Sequence, residues 1–198
     1  MKRMKKLVTL LLSLVMLCAL AMPVMADEPT KYSITINGAV AGHTYTAYQV
    51  FKGVYYKEDG AAGKEYLSDV EWGNGVNGVD ILTELRTNET LKSKFETVDS
   101  AEKAAYALQT MKDKSEELDE FARVVGNHLT GTSAGTTGAV TADTGVKING
   151  LTAGYYFVKD TGTINAGEIA TKFLVEVVGN ANVTVKAQAP EFEKKIVN

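Results

Sequence analysis

The stretch LTAGYYFVKD, Leu151 to Asp160, ends on a lone carboxylate after a run rich in aromatic and β-branched residues. Two roles compete for Asp160: a proton shuttle in a buried reaction, where desolvation tunes the acid, or an ordinary polar residue near a strand end. Other residues invite chemistry less well. GNGVNG, Gly73 to Gly78, satisfies G-x-G-x-x-G just ahead of a helical segment. The YLSDVEW before it does not read as a buried parallel strand, and β and α segments do not alternate, so a dinucleotide site fails on context. A flexible turn after Trp72 accounts for the glycines. His43 and His128 are the only histidines, and neither has a neighbouring ligand at metal spacing. His43 reads as a turn residue, His128 as a residue near a helix C-terminus, where positive charge is favoured. The acids of EELDE, Glu116 to Glu120, fall in the first turns of a helix and suit its dipole better than a catalytic pairing. No Ser, His and Asp set stands out. The reading is therefore of a protein that is not an enzyme and needs no cofactor or metal.

The elements that position these residues begin after a leader. MKRMKK is a basic start, LVTLLLSLVMLCALAM an apolar run, and VMA ends at Ala26 with small residues of the kind a signal peptidase reads. Residues 1–26 are thus expected to be cleaved on export, and the membrane is met only through that leader. Lys2, Arg3, Lys5 and Lys6 leave with it while all 24 acids stay, so the net charge moves from −3 to −7. An acidic chain of this kind is a poor match for a phosphate backbone, which argues against a nucleic-acid partner. Cys18, the only cysteine, also leaves. Leu17 before it is too large for a lipidation site, and the exported chain has no disulfide to rely on.

Pro29 and Pro190 bracket a proline-free interior, which suits one unit over about 27–188 with a linker at 189–198. YSITING alternates apolar and polar residues, and TYTAYQVFKGVYY is aromatic and β-branched; both read as strands, joined in a hairpin by the turn around AVAGH. GVKING, GYYFVKD, IATKFLVEVV and NVTVKA read as further short strands of a sandwich. Tyr155 and Tyr156, adjacent on one strand, face opposite ways, one into the core and one toward the helices. From about 79 to 130 the period changes to helical. Asp99 is the expected N-cap of AEKAAYALQTM, with Glu102 as its capping-box partner, and Ser115 that of EELDEFARVVGNHL, where Leu118, Phe121, Ala122, Val125 and Leu129 share a face. The Thr, Gly and Ala tract from Thr130 to Gly145 reads as an exposed loop with a short strand at Ala139 and Val140 as the alternative.

YSITINGAVAGHTYTAYQVFKG, LSDVEWGNGV, LTAGYYFVKD and APEFEKKIVN, in that order, resemble the N-terminal domain of sortase-assembled Gram-positive pilin backbone subunits, the isopeptide-forming fimbrial proteins. The resemblance implies a mainly β, immunoglobulin-like sandwich of the collagen-adhesin B type with a helical insertion. It also implies secretion, and a place as one bead of a covalent cell-surface pilus that supports adhesion, attached to the cell wall where a sorting signal is present. The partners implied are a pilin-class sortase, neighbouring pilin subunits and host surface ligands. Lys186 is the candidate sortase acceptor, although NVTVKAQAP lacks the family's Tyr-Pro before the lysine. EKKIVN resembles the opening strand of a next domain, with Lys194 or Lys195 as its isopeptide lysine. The mature chain shows no LPxTG-like signal, terminal apolar span or basic tail, which reads as a truncated chain or a module of a longer one.

In related domains a neutral lysine amine attacks an Asn side chain, ammonia leaves, and a buried acid moves the protons. The acid stands in L-x-x-G-x-Y-x-x-x-E, and Leu151, Gly154, Tyr156 and Asp160 fill that pattern with a side chain one methylene shorter. Asn180 or Asn182 is the candidate acceptor. The first strand, however, reads Tyr-Ser-Ile-Thr-Ile-Asn, and its nearest lysine, Lys31, lies outside it. A lysine at a strand margin is ordinarily solvated and a weak nucleophile at neutral pH, so Asp160 is expected to stand idle. The alternative to a filament subunit is a surface adhesin domain that binds host glycan or matrix protein through the helical insertion and the Thr/Gly loop.

Overall fold

A computed structural model of the chain describes residues 29–57, 65–112, 115–141, 145–163 and 170–185. The leader, Lys186, Lys194, Lys195 and the 189–198 linker lie outside those residues. Among the described residues eight strands and four helices follow one another: β1 (Tyr32–Asn37), β2 (Thr44–Lys57), β3 (Glu65–Trp72), α1 (Gly78–Thr87), α2 (Lys92–Phe95), α3 (Ala101–Gln109), α4 (Glu116–Asn127), β4 (Gly135–Ala139), β5 (Val146–Leu151), β6 (Gly154–Asp160), β7 (Lys172–Val177) and β8 (Ala181–Thr184). The Thr/Gly tract thus supplies an edge strand, β4, against the start of β2.

A small sheet, ordered β5-β1-β8, packs on a larger one ordered β3-β2-β6-β7. The chain adopts the expected mainly β, two-sheet sandwich with a helical insertion. Alternation in β1 buries Ile34 and Ile36 completely between the sheets, where they meet Ile148, Tyr156, Val158 and Val177. The opposite face of the larger sheet carries the helices, over a second core built on Phe51, Phe95, Phe121 and Phe157. Each such ring contributes about 2–3 kcal/mol by leaving water. The adjacent tyrosines divide as alternation demands: Tyr156 is buried between the sheets, and Tyr155 packs toward the helices. Alternation along β2 turns Tyr45 and Ala47 to the small sheet and Tyr48 and Val50 to the helices, and a bulge between Gln49 and Phe51 shifts the parity so that Phe51 joins Val50 on the helical side.

Three expectations are corrected. First, β1 and β2 form no hairpin; they belong to different sheets, and Gly38 to His43 carries the chain from one to the other. Alternation states which face of a strand is buried, not which strand lies beside it. Second, Ser100 and not Asp99 caps α3. Its hydroxyl accepts from the Lys103 N–H at 3.3 Å, while Asp99 pairs with the Lys103 ammonium. Ser115 caps α4 as expected, accepting from the Leu118 N–H at 3.2 Å. Third, the GNGVNG glycines are places of close approach, not of flexibility. A Cβ on Gly73 would stand 2.3 Å from the Gln49 carbonyl oxygen, and one on Gly78 2.3 Å from the Trp72 indole. The absent side chains let this segment press on central strand β2 and on the indole ahead of α1.

Candidate functional site: a buried histidine and carboxylate

Asp160 closes β6 and is only 3% exposed, and His43, at the end of the link between the two sheets, only 2%. The backbone of that link is fixed on both sides: the Val140 N–H donates to the His43 carbonyl at 2.8 Å, and the Gly42 N–H to the Val140 carbonyl at 2.8 Å. The imidazole therefore reaches inward, and its Nδ1 lies 2.5 Å from Asp160 Oδ2. The other carboxylate oxygen accepts from the Gly162 N–H at 3.0 Å. Gly162 is itself required here, since a Cβ would come 2.6 Å from the His43 Cα. Tyr45, opposite Asp160 in the β2–β6 register, is fully buried beside the pair. Burial pushes its phenol up from the ordinary value, and the Asp160 charge adds to this, while the Val40 N–H opposes it.

This arrangement can share a proton between a ring nitrogen and a carboxylate, and it locks the sheet-to-sheet link to the end of β6. It does not assemble the amide-forming trio. The inward positions of β1 are held by Ile34 and Ile36. Lys31 is exposed ahead of β1, whereas Asp160 lies at the far end, beyond Asn37. Asn180 is exposed and accepts from the Ser33 N–H at 3.0 Å, and Asn182 lies exposed on β8 beside Thr35. The intact mass of residues 27–198 is expected to equal the sequence mass. A loss of one ammonia would show that a lysine and an asparagine had joined.

The phenol of Tyr156, two turns of the pleat before Asp160, is tied to the segment ahead of its own strand. It donates to the Thr152 carbonyl at 2.8 Å and accepts from Gln49 Nε2 at 3.1 Å. The L-x-x-G-x-Y part of the motif is thus a packing device that fixes how β6 enters the sheet.

A second cluster joins α1 to α4. Arg123 reaches Glu84 at 2.9 Å and Glu120 at 2.8 Å, Asn88 Nδ2 donates to Glu120 at 2.5 Å, and His128 Nε2 lies 2.7 Å from Glu84. His128 is the C-cap residue of α4, at the helix end expected. Sequence reasoning missed its partner 44 residues away. Arg123, then Asn88, holds the Glu120 carboxyl down from 4.5 to about 2, and His128, ahead of Arg123, lowers that of Glu84. A carboxyl depressed in the folded state lends stability above its unfolded value and loses it as pH falls through the folded one. Stability should thus decline between pH 4.5 and about 2, and Glu120→Gln should flatten that limb in acid titrations followed by circular dichroism. Among the described residues no group of three His, Cys, Asp or Glu is placed to hold a metal.

Fold and site together define a β-sandwich module with a helical layer and an internal ionic tie. A scan against protein-family models finds no match, and neither does a search of curated proteins. Among solved structures the chain is similar to the pilus backbone RrgB of Streptococcus pneumoniae, with 11% sequence identity and a TM-score of 0.25. The alignment covers 78% of this chain and 40% of that one, so the match extends over less than half of that backbone.

Proposed function

We propose that the chain is the N-terminal domain of a structural subunit of a covalent cell-surface filament, a pilus. It is exported by its leader and joined to neighbouring subunits by a pilin-class sortase. The observation that carries this reading is how the chain passes through the sandwich. β1 and β8 lie side by side and parallel, Ile34 to Asn37 against Ala181 to Thr184. The chain therefore enters at one end of the domain and leaves at the other. Parallel pairing over four residues ties the last described strand to the first and anchors the exit of the domain in the small sheet, next to the residue a sortase would join. The helical layer lies on the far face of the larger sheet.

Lys186 follows Val185 directly, and the Val185 N–H is bonded to the Asn37 carbonyl at 2.9 Å, at the end of the β1–β8 pairing. A sortase bond at Lys186 would join the neighbouring subunit where β8 is held to β1. On this reading residues 27–188 form the domain, 189–198 lead onward, and Lys194 or Lys195 belongs to a following domain's crosslink. Asp160 serves the His43 tie and not a reaction. The test is an immunoblot of cell-wall extracts from a strain that expresses the gene with a pilin-class sortase. A ladder of detergent-resistant species that collapses in Lys186→Ala is expected. A single monomer band would remove the filament reading, and a ladder unchanged in Lys186→Ala would remove Lys186 as acceptor.

A further inference from the structure

We propose that β7 is the seam of a symmetric dimer, in which a second copy of this chain adds its own β7 antiparallel to form one sheet across both subunits. The inference stands apart from the filament reading. β7 is the outer strand of the larger sheet, and among the described residues no strand pairs with its outer edge. That edge has neither proline nor bulge, and its two charges, Lys172 and Glu176, are of opposite sign. Phe173, Leu174 and Val175 are only partly buried. A groove of about 910 Å³, lined by Leu118, Asp119, Arg123, Lys172 and Leu174 among others, runs between α4 and β7.

The hydrogen-bonding pattern picks out the partner. The Asp160 N–H donates to the Thr171 carbonyl at 2.9 Å, so Thr171 bonds toward β6. Antiparallel alternation then turns the N–H and C=O of Lys172, Leu174 and Glu176 outward. A second β7 offers matching groups at one register that uses all three positions: Lys172 opposite Glu176, Leu174 opposite Leu174, and Glu176 opposite Lys172. Phe173 meets Val175 on the other face. Opposite charges face each other twice, apolar side chains face apolar ones, and the two-fold axis passes through Leu174. A slip of two residues leaves one position unpaired and sets a charge against Leu174, so the register is specified. Self-complementarity of this kind is what an isologous interface requires.

The experiment uses protein produced with its leader and purified after export, sedimented from about 1 μM to about 1 mM, a span that brackets a weak strand-edge dimer. A monomer–dimer equilibrium is expected. Lys172→Glu and Glu176→Lys should each weaken it by about tenfold or more, because each sets two like-charge pairs across the seam. Mixing the two variants should restore the dimer, since every pair then becomes opposite. The exported chain has no other cysteine, so Leu174→Cys under mild oxidation should give a covalent dimer, and Ser68→Cys on the opposite edge strand should not. Lys172 is exposed, and the melting curve of Lys172→Glu alone should match the parent. A monomer throughout, a dimer that survives either charge reversal, a mixture that fails to restore it, or equal crosslinking of the Leu174→Cys and Ser68→Cys variants would each overturn the proposal.

Discussion

Replacing Asp160 with alanine is expected to lower the stability of the protein by about 3 kcal/mol, a fall in Tm of roughly 10 °C for a chain of this size. The carboxylate is 3% exposed and satisfies both His43 Nδ1 and the Gly162 N–H. Its removal takes the Nδ1 partner from an imidazole that is 2% exposed and frees the turn after β6. Loss of one member of a buried pair costs more than the pair contributes, because the desolvation of the survivor is no longer offset. Asp160→Asn keeps the shape and one acceptor oxygen, and should cost about half as much. Asp160→Glu keeps the acid but adds a methylene to a full site, a penalty of about 1–3 kcal/mol. His43→Ala should resemble Asp160→Ala, and the double variant should fall short of the sum by about 1–3 kcal/mol, the mark of direct coupling. Thermal melting of these variants checks this. A melting point for Asp160→Ala equal to the parent's would mean that the tie holds nothing.

Gly73→Ala carries the second large effect, about 2–3 kcal/mol of destabilisation. The new methyl would meet the Gln49 carbonyl oxygen at 2.3 Å, and that carbonyl belongs to β2, which is held by β3 on one side and β6 on the other. Neither strand can yield without loss of pairing. Gly179→Ala is the matched control: nothing stands within 4 Å of its Cβ position, and the change should cost under about 0.5 kcal/mol. Chemical denaturation of the two variants separates the readings of GNGVNG. Equal midpoints would return the segment to a flexible turn.

Most elements of the fold are legible in the chain because each rests on local periodicity. The alternation of YSITIN and the helical stripe of Phe121 and Val125 can be read within a few residues, and Ser115 announces itself as a cap by its place ahead of an amphipathic run. The error at Ser100 is of the same local kind, since two neighbouring cap formers, Asp99 and Ser100, differ only in which one takes extended backbone. Neither the bulge at Gln49 nor the division of β1 and β2 between two sheets leaves a mark in alternation, because both depend on what the strand packs against.

The candidate site separates the two levels most clearly. Residue order alone says that a carboxylate ends the β6 strand behind a Gly and a Tyr, and that the first strand carries isoleucines and no lysine. That His43, 117 residues earlier, is the partner of this carboxylate follows only from the folded arrangement. The reason is physical: a buried ion must be matched within hydrogen-bond reach, but the chain supplies the match wherever the sandwich closes, at no fixed spacing along it. The same holds for Glu84 and His128, 44 residues apart in the chain.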